Sequence, residues 1–272
     1  MKLFTDSIAF ISEIERGSPP FQPIADSTFI ILVGLTGVGK STAIDLLQTG
    51  FNFILLPDRR KITNEIIITS LQQEDGEATS PVTDRVKRFE YTARYRAKHP
   101  GGMAHALSQL AIDPSKIDLP LIFDGLRGLN EVQHATDYFP EARFVILDAP
   151  DIVRLTRLLK RGDTFDTTRL PTSLAGQNMI AGLLSIPDIE AIFTTEQLRQ
   201  ISRAARAARL SIDDVVKKAS IIVEERRNYD SSAARVYLAR TLTRQKVLVI
   251  NTDTQPPQEV ADRIKAWFLS EG

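Results

Sequence analysis

Residues 34–41 read Gly-Leu-Thr-Gly-Val-Gly-Lys-Ser, which satisfies the spacing G-x-x-x-x-G-K-[ST]. Glycines so placed let the backbone turn successive N–H groups onto one anion at the start of a helix. The stretch comprising Gly34, Thr36, Gly37, Val38, Gly39, Lys40, Ser41 and Thr42 is therefore the expected cradle for a nucleotide's phosphates. Lys40 would reach the β- and γ-phosphates, and the Ser41 hydroxyl would meet Mg²⁺. The flanks suit a working loop better than an idle turn: Phe29 to Val33 reads as a strand, and Thr42 to Gln48 as a helix.

Other residues could complete the chemistry. Asp124 follows the apolar run Leu121-Ile-Phe, where a carboxylate holds Mg²⁺ directly or through water. The next residue is Gly125, not the Glu typical of water-activating ATPases, so hydrolysis is the weaker expectation. The sequence has neither an Asn-Lys-x-Asp guanine-reading motif nor a Leu-Ser-Gly-Gly-Gln transporter signature. Asp58, after Pro57, is placed either to orient an acceptor hydroxyl and take its proton or simply to form a turn. Arg59, Arg60, Arg94 and Arg96 are candidates for an anionic acceptor, because guanidinium forks match phosphate geometry. Arg157 and Arg161, four residues apart, leave one helix face together, while Ile152, Leu155 and Leu159 can pack on the other. Two converging arginines neutralise a transferring phosphoryl group and exclude water; a solvated basic face is the alternative.

Composition removes some chemistries. The 272 residues contain no cysteine, which excludes thiolate nucleophiles and disulfides, and His99, His105 and His134 are too far apart for a metal-ligand motif. With 34 basic and 34 acidic side chains the net charge is zero, so no general attraction to nucleic acid or anionic membrane is expected. No apolar stretch approaches the roughly 20 residues that span a bilayer, and residues 1–20 are not a signal peptide. A cytoplasmic protein follows as the expectation.

Strands and helices must alternate to position these groups. Leu3, Phe4, Ile8, Ile11 and Ile14 fit a short N-terminal helix; Phe51 to Leu56 reads as a buried strand. Residues 62–82 are ambiguous, with Ile66, Ile67 and Ile68 favouring a strand. Helices follow at 84–99 and 103–110, then a strand at 121–123, a helix at 130–138, a strand at 144–147 and a helix at 151–161. Residues 171–244 are helical and rich in Ala and Arg, with starts at Thr194 and Ser211. Residues 246–250 return to strand, and Val260, Ile264 and Phe268 mark a closing helix. Such alternation predicts a parallel sheet, with ligands at the carboxyl ends of its strands.

The segments Leu121-Ile-Phe-Asp-Gly-Leu-Arg-Gly-Leu-Asn-Glu-Val132 and Val145 to Asp163, the latter with Arg-Leu-Leu-Lys-Arg at 157–161, resemble the P-loop nucleoside and nucleotide kinases. The likeness is greatest to the dephospho-coenzyme A kinase and adenylate-kinase-like branch. It implies an α/β, three-layer P-loop NTPase fold with a parallel sheet and an α-helical insertion. The expected parts are an N-terminal extension (1–23), a kinase core (24–170), the insertion (171–244) and a strand and helix completing the core (245–272). The resemblance further implies Lys40 and Ser41 for triphosphate and metal, Asp124 near the metal, Arg127 for the acceptor's phosphate, and Arg157 with Arg161 as lid arginines.

The expected function is transfer of the γ-phosphate of ATP, with Mg²⁺, to a small phosphorylated or nucleoside-like acceptor. Lys40, Asp58, Asp124, Arg157 and Arg161 would serve catalysis, and Arg59, Arg94 and Arg127 would bind the acceptor. The alternative is a regulatory ATP-binding module or ATPase whose insertion binds a protein or, through Arg199, Arg203 and Arg206, a nucleic acid. The insertion's alanines also suit a homodimer interface.

Overall fold

All five side chains from Phe29 to Val33 are buried, as the centre of a sheet covered on both faces requires. In the computed structural model, which describes residues 3–10, 21–160 and 178–270, the strands are β1 (Leu3–Thr5), β2 (Ile8–Phe10), β3 (Gln22–Pro23), β4 (Phe29–Val33), β5 (Ile54–Leu55), β6 (Leu110–Ile112), β7 (Leu121–Leu126), β8 (Arg143–Asp148) and β9 (Val247–Asn251). The main sheet runs β5-β7-β4-β8-β9 with every pair parallel. Phe29, Ile31 and Val33 face one core, and Ile30 and Leu32 the other, by the two-residue period of a strand.

The helices are α1 (Lys40–Leu47), α2 (Arg59–Ile62), α3 (Thr69–Glu74), α4 (Arg85–Lys98), α5 (Met103–Ser108), α6 (Leu129–Tyr138), α7 (Asp151–Lys160), α8 (Met179–Leu184), α9 (Ile189–Ile192), α10 (Thr195–Ala207), α11 (Ile212–Asn228), α12 (Ser231–Thr241) and α13 (Pro257–Leu269). On one face of the sheet Ala43, Ile44 and Leu47 of α1 pack with Val260, Ala261 and Ile264 of α13. On the other lie residues of α2 through α6 and α12. The chain is thus an α/β protein with a five-stranded parallel sheet flanked by helices. Because β4 is central and the chain winds first to β5 and β7 and then to β8 and β9, a crevice opens at its carboxyl end.

Three local expectations are corrected. Residues 3–10 form two antiparallel strands, not a helix, because β2 pairs in turn with β6 (Ile8 opposite Ile112) in a second sheet ordered β1-β2-β6-β3; Ile11 and Ile14 lie outside the described residues. Ile66, Ile67 and Ile68 are helical: α2, a π-helical stretch Thr63–Ile68 and α3 run on continuously. Ile62, Ile66, Ile67 and Leu71 are all buried in one core, so helical spacing of packing contacts overrides the strand preference of β-branched side chains. The strand expected at 51–56 narrows to Ile54–Leu55, since Phe51 leaves the ladder to meet the Phe268 ring, 5.6 Å away.

A third core unites α7 with α8 to α11 through Leu155, Leu158, Leu183, Ile201, Val215 and Ile222. Thr194 caps α10 with a reciprocal Thr194–Gln197 box, and Ser211 caps α11 through the Asp214 N–H. Helix α12 instead returns Ala234 and Leu238 to the core beneath α6. Among the described residues no helix is long and apolar enough to cross a membrane.

Candidate functional site

The strand β4 delivers the glycine loop to the crevice, and α1 begins at Lys40. Gly37 has φ +85°, and a Cβ there would stand 2.8 Å from the Arg154 carbonyl oxygen. Backbone conformation and close packing on α7 therefore both demand glycine. Gly39, at φ +102°, would bring a Cβ only into ordinary contact with Arg157, 3.8 Å away, and needs glycine for conformation alone. The loop is braced from beneath: the Thr252 hydroxyl donates to the Val38 carbonyl (2.7 Å), and Arg157 donates to the Gly37 carbonyl (3.2 Å) and to Thr252.

Lys40 lies at the mouth, donating to the Gly34 carbonyl (2.7 Å) with its ammonium 3.6 Å from Asp124 Oδ1. Burial pulls its pKa below the ordinary value; Asp124 opposes that, and Arg127 reinforces it. Asp124 Oδ1 is buried with no hydrogen-bond partner. Such an orphan is costly unless something polar completes it. It borders a cavity of about 170 Å³ lined also by Lys40, Ser41, Gly37, Gly39 and Arg127. An unsatisfied carboxylate oxygen beside a hydroxyl fits a hard cation that takes its other ligands from phosphate and water. Among the described residues no cluster of three or more His, Cys, Asp or Glu could hold a metal by itself. Ser41 and Thr42 are exposed on the first turn of α1.

The groups that complete the mouth come from far away in sequence. Glu225, near the end of α11 and 5% exposed, accepts from the Thr36 N–H (3.0 Å) and the Thr36 hydroxyl (2.6 Å). It also pairs with Arg127 (2.8 Å) and Arg154. Burial would raise the Glu225 carboxyl, but Arg127 and Arg154 outweigh it and hold the group below its ordinary range. Arg154, 1% exposed, also donates to the Thr36 carbonyl (2.8 Å) and pairs with Asp151. Burial lowers its pKa against the pull of Glu225 and Asp151.

A larger cavity of about 320 Å³ adjoins this mouth and shares Thr36, Arg59 and Arg127 with the smaller one. Its walls include Phe89, Tyr95 and Tyr229, with Arg88 and Arg96 from α4. Arg59 is fixed there: it forks onto Glu131 (2.6 and 3.0 Å), donates to the Gly125 carbonyl (2.6 Å) and to the Tyr229 hydroxyl (3.0 Å). Although burial opposes its charge, Glu131 raises its pKa further. Arg59 and Arg127 approach the Tyr229 ring at 5.4 and 5.6 Å, within cation–π range.

The structure thus gathers Thr36, Gly37, Gly39, Lys40, Ser41, Asp124, Arg127 and Arg59 around the two cavities, whereas Gly34, Val38 and Thr42 line neither. It does not bring Arg94 there. Arg94 is held at the surface by Asp75 (2.7 and 2.8 Å), because Arg88, Thr92, Tyr95 and Arg96 occupy the cavity-facing stripe of α4. Nor does Asp58 line either cavity: it caps α2 through the Lys61 N–H (2.7 Å). Arg157 supports the loop from below and is absent from both cavity walls; Arg161 lies outside the described residues. Arg199 and Arg203 both turn to Glu196 (3.5 and 2.8 Å), which breaks up the basic stripe of α10. His99 and His105 stack with centroids 4.0 Å apart, and burial, with His99 beside it, pulls His105 down to about 4.

Sequence reasoning missed Glu225, Arg154, Glu131, Tyr229 and Thr252. The polar Arg154 on the otherwise apolar face of α7, beside Leu155 and Leu158, was the one available signal.

No protein-family model and no curated protein matches the chain. Among solved structures it is similar to a sugar kinase from Janibacter sp. HTCC2649 (14% identity, TM-score 0.41, 89% of this chain and 94% of that one). It is likewise similar to TT1252 from Thermus thermophilus (16%, 0.46, 91% and 100%) and to shikimate kinase from Aquifex aeolicus VF5 (16%, 0.34, 89% and 96%). Scores of this size decide neither family nor substrate, and the chemistry rests on the site itself.

Proposed function

We propose that the chain is an ATP-dependent phosphotransferase that moves a γ-phosphate to a small phosphorylated or nucleoside-like acceptor. The observation that supports this most is the junction of cavities: Thr36, Arg59 and Arg127 line both the space over the glycine loop and the larger space beside it. A hydrolase needs only the first. A second, partly apolar cavity of about 320 Å³ opening on the phosphate site suits a small organic acceptor.

In this reading the loop N–H groups and Lys40 hold the triphosphate, and Ser41 and Asp124 hold Mg²⁺, which would offset charge on the phosphate oxygens. Arg127 faces the acceptor side. Aromatic walls at Phe89, Tyr95 and Tyr229 pack the acceptor's body, while Arg96 supplies positive charge from α4. The protein's contribution is alignment and charge neutralisation. The test is incubation of purified protein and Mg²⁺ with γ-labelled ATP and a fractionated pool of small metabolites. Label should leave ATP for an organic product in specific fractions only, and Lys40→Ala protein should not support it. Release of inorganic phosphate alone, independent of the fraction added, would overturn the proposal in favour of hydrolysis.

A further inference from the structure

Among the described residues, Glu225 is the one carboxylate of the larger cavity that touches the glycine loop. Glu131, which also lines that cavity, is occupied by Arg59 and by the Arg127 N–H (2.9 Å), and Glu224 pairs with Arg227 (2.9 Å). The two oxygens of Glu225 accept from the Thr36 N–H, the Thr36 hydroxyl, Arg127 and Arg154. An ionised carboxylate has about four lone-pair sites. With that many donors already on it, Glu225 has no free lone pair for removing a proton from an acceptor, so a general-base role is unsuited to it.

The donors are the more informative half of the contact. A main-chain N–H of the phosphate loop, a hydroxyl and the Arg127 guanidinium, all at the shared wall of the two cavities, with the Lys40 ammonium lowering the cost of negative charge nearby, form a receptor suited to a phosphoryl group; Arg154, buried behind them, keeps its pairing with Asp151. We propose that Glu225 is an internal rival of the nucleotide's terminal phosphoryl group for the donors of Thr36 and Arg127, which line both cavities, and that its displacement by that group couples nucleotide binding to the acceptor cavity. This rests on the loop binding a nucleoside triphosphate, as proposed above.

The coupling follows from where Glu225 sits. The same end of α11 and the residue after it supply Ile221, Glu224, Asn228 and Tyr229 to the wall of the larger cavity. A terminal phosphoryl group that takes the donors from Glu225 obliges this turn to shift, and the Tyr229 ring shifts with it against Arg59 and Arg127. A diphosphate, which lacks that group, leaves Glu225 in place. Acceptor affinity is then set by which nucleotide is bound, and linkage makes the effect reciprocal.

The test compares ATP-analogue and ADP binding by calorimetry, with Mg²⁺, in wild-type and Glu225→Gln proteins. Glutamine keeps the shape and removes the rival charge, so triphosphate affinity should rise about tenfold while ADP affinity stays within about twofold, widening the triphosphate-to-diphosphate ratio. An unchanged ratio, or equal weakening of both nucleotides, overturns the proposal and makes Glu225 a structural clamp. If wild-type protein bound neither nucleotide, the phosphotransfer reading would fall with it, and that outcome is distinct from an unchanged ratio. Because the variant carries a disturbed buried cluster, hydrogen exchange on the wild-type protein gives an independent measurement. Amides at 221–229 should exchange faster with the triphosphate analogue than with ADP, and equal protection overturns the proposal.

Discussion

The glycine loop and the cluster of Arg127, Arg154 and Glu225 touch one another at Thr36, yet they are built in opposite ways. The loop draws its donors from the main chain of one strand-to-helix turn, and its shape is fixed by glycine conformation. The cluster draws side chains from the β7–α6 turn, α7 and α11, and it meets the loop where Glu225 and Thr36, 189 positions apart, share hydrogen bonds. A local anion site of the first kind carries its donors on one short segment, although this loop is also braced by Thr252 and Arg157. One of the second kind is only as firm as the packing of α7 on α11, which depends on the helical core around Leu155, Val215 and Ile222.

Arg154→Ala attacks that difference most directly. It leaves Glu225 buried with one cation fewer and removes the donor from the Thr36 carbonyl. Breaking a buried pair in this way costs about 3–5 kcal/mol, to be read from urea unfolding. Its pH dependence sharpens the point. A carboxyl held below its ordinary value of 4.5 contributes stability that is full above that value and is lost as pH falls through the lower folded value. The wild-type protein should therefore lose stability on acidification with a component that shrinks in Arg154→Ala. Lys40→Ala is the contrasting variant: transfer should fall about 10²–10³-fold with a smaller loss of stability than in Arg154→Ala, because burial already opposes the Lys40 charge and its nearest carboxylate, Asp124, stands 3.6 Å away. Equal loss of stability in both variants would erase the distinction between loop and cluster.

The same difference explains what the sequence disclosed. The loop and its flanking strand and helix were legible because each depends on neighbours within a few positions; Asp124 was expected just past a strand ending at 123, whereas β7 runs on through it to Leu126. The parallel sheet followed from the alternation of apolar runs with helical periods. The cluster was not legible, since nothing local marks Glu225 as the partner of a residue 189 positions away. Arg94 was carried forward ahead of Arg96, and Arg88 was not singled out, because α4 is charged around much of its circumference, so its buried stripe appears only once the helix is packed. The N-terminal strands were hidden for a similar reason: short apolar runs fit a helix or a strand, and pairing of β2 with β6 decided between them.

Asp124, inside β7, and Asp58, at the start of α2, allow smaller tests. Asp124 Oδ1 is buried without a hydrogen-bond partner, so Asp124→Asn should weaken Mg²⁺ about 10–100-fold, seen as loss of the Mg²⁺ enhancement of nucleotide binding in calorimetry. Unaltered Mg²⁺ enhancement would remove Asp124 from the cation site. Asp58 should behave differently. Its side chain accepts the Lys61 N–H at the start of α2, and it borders neither cavity. Asp58→Ala should cost about 1 kcal/mol of stability, the value of a lost cap, and Asp58→Asn, which still caps, should restore it. Transfer rates of both variants should remain within about threefold of wild type at a temperature where each is folded. A loss of rate in Asp58→Asn without loss of stability would instead make this carboxylate the acceptor's base, and it would require the turn before α2 to open toward the larger cavity during turnover.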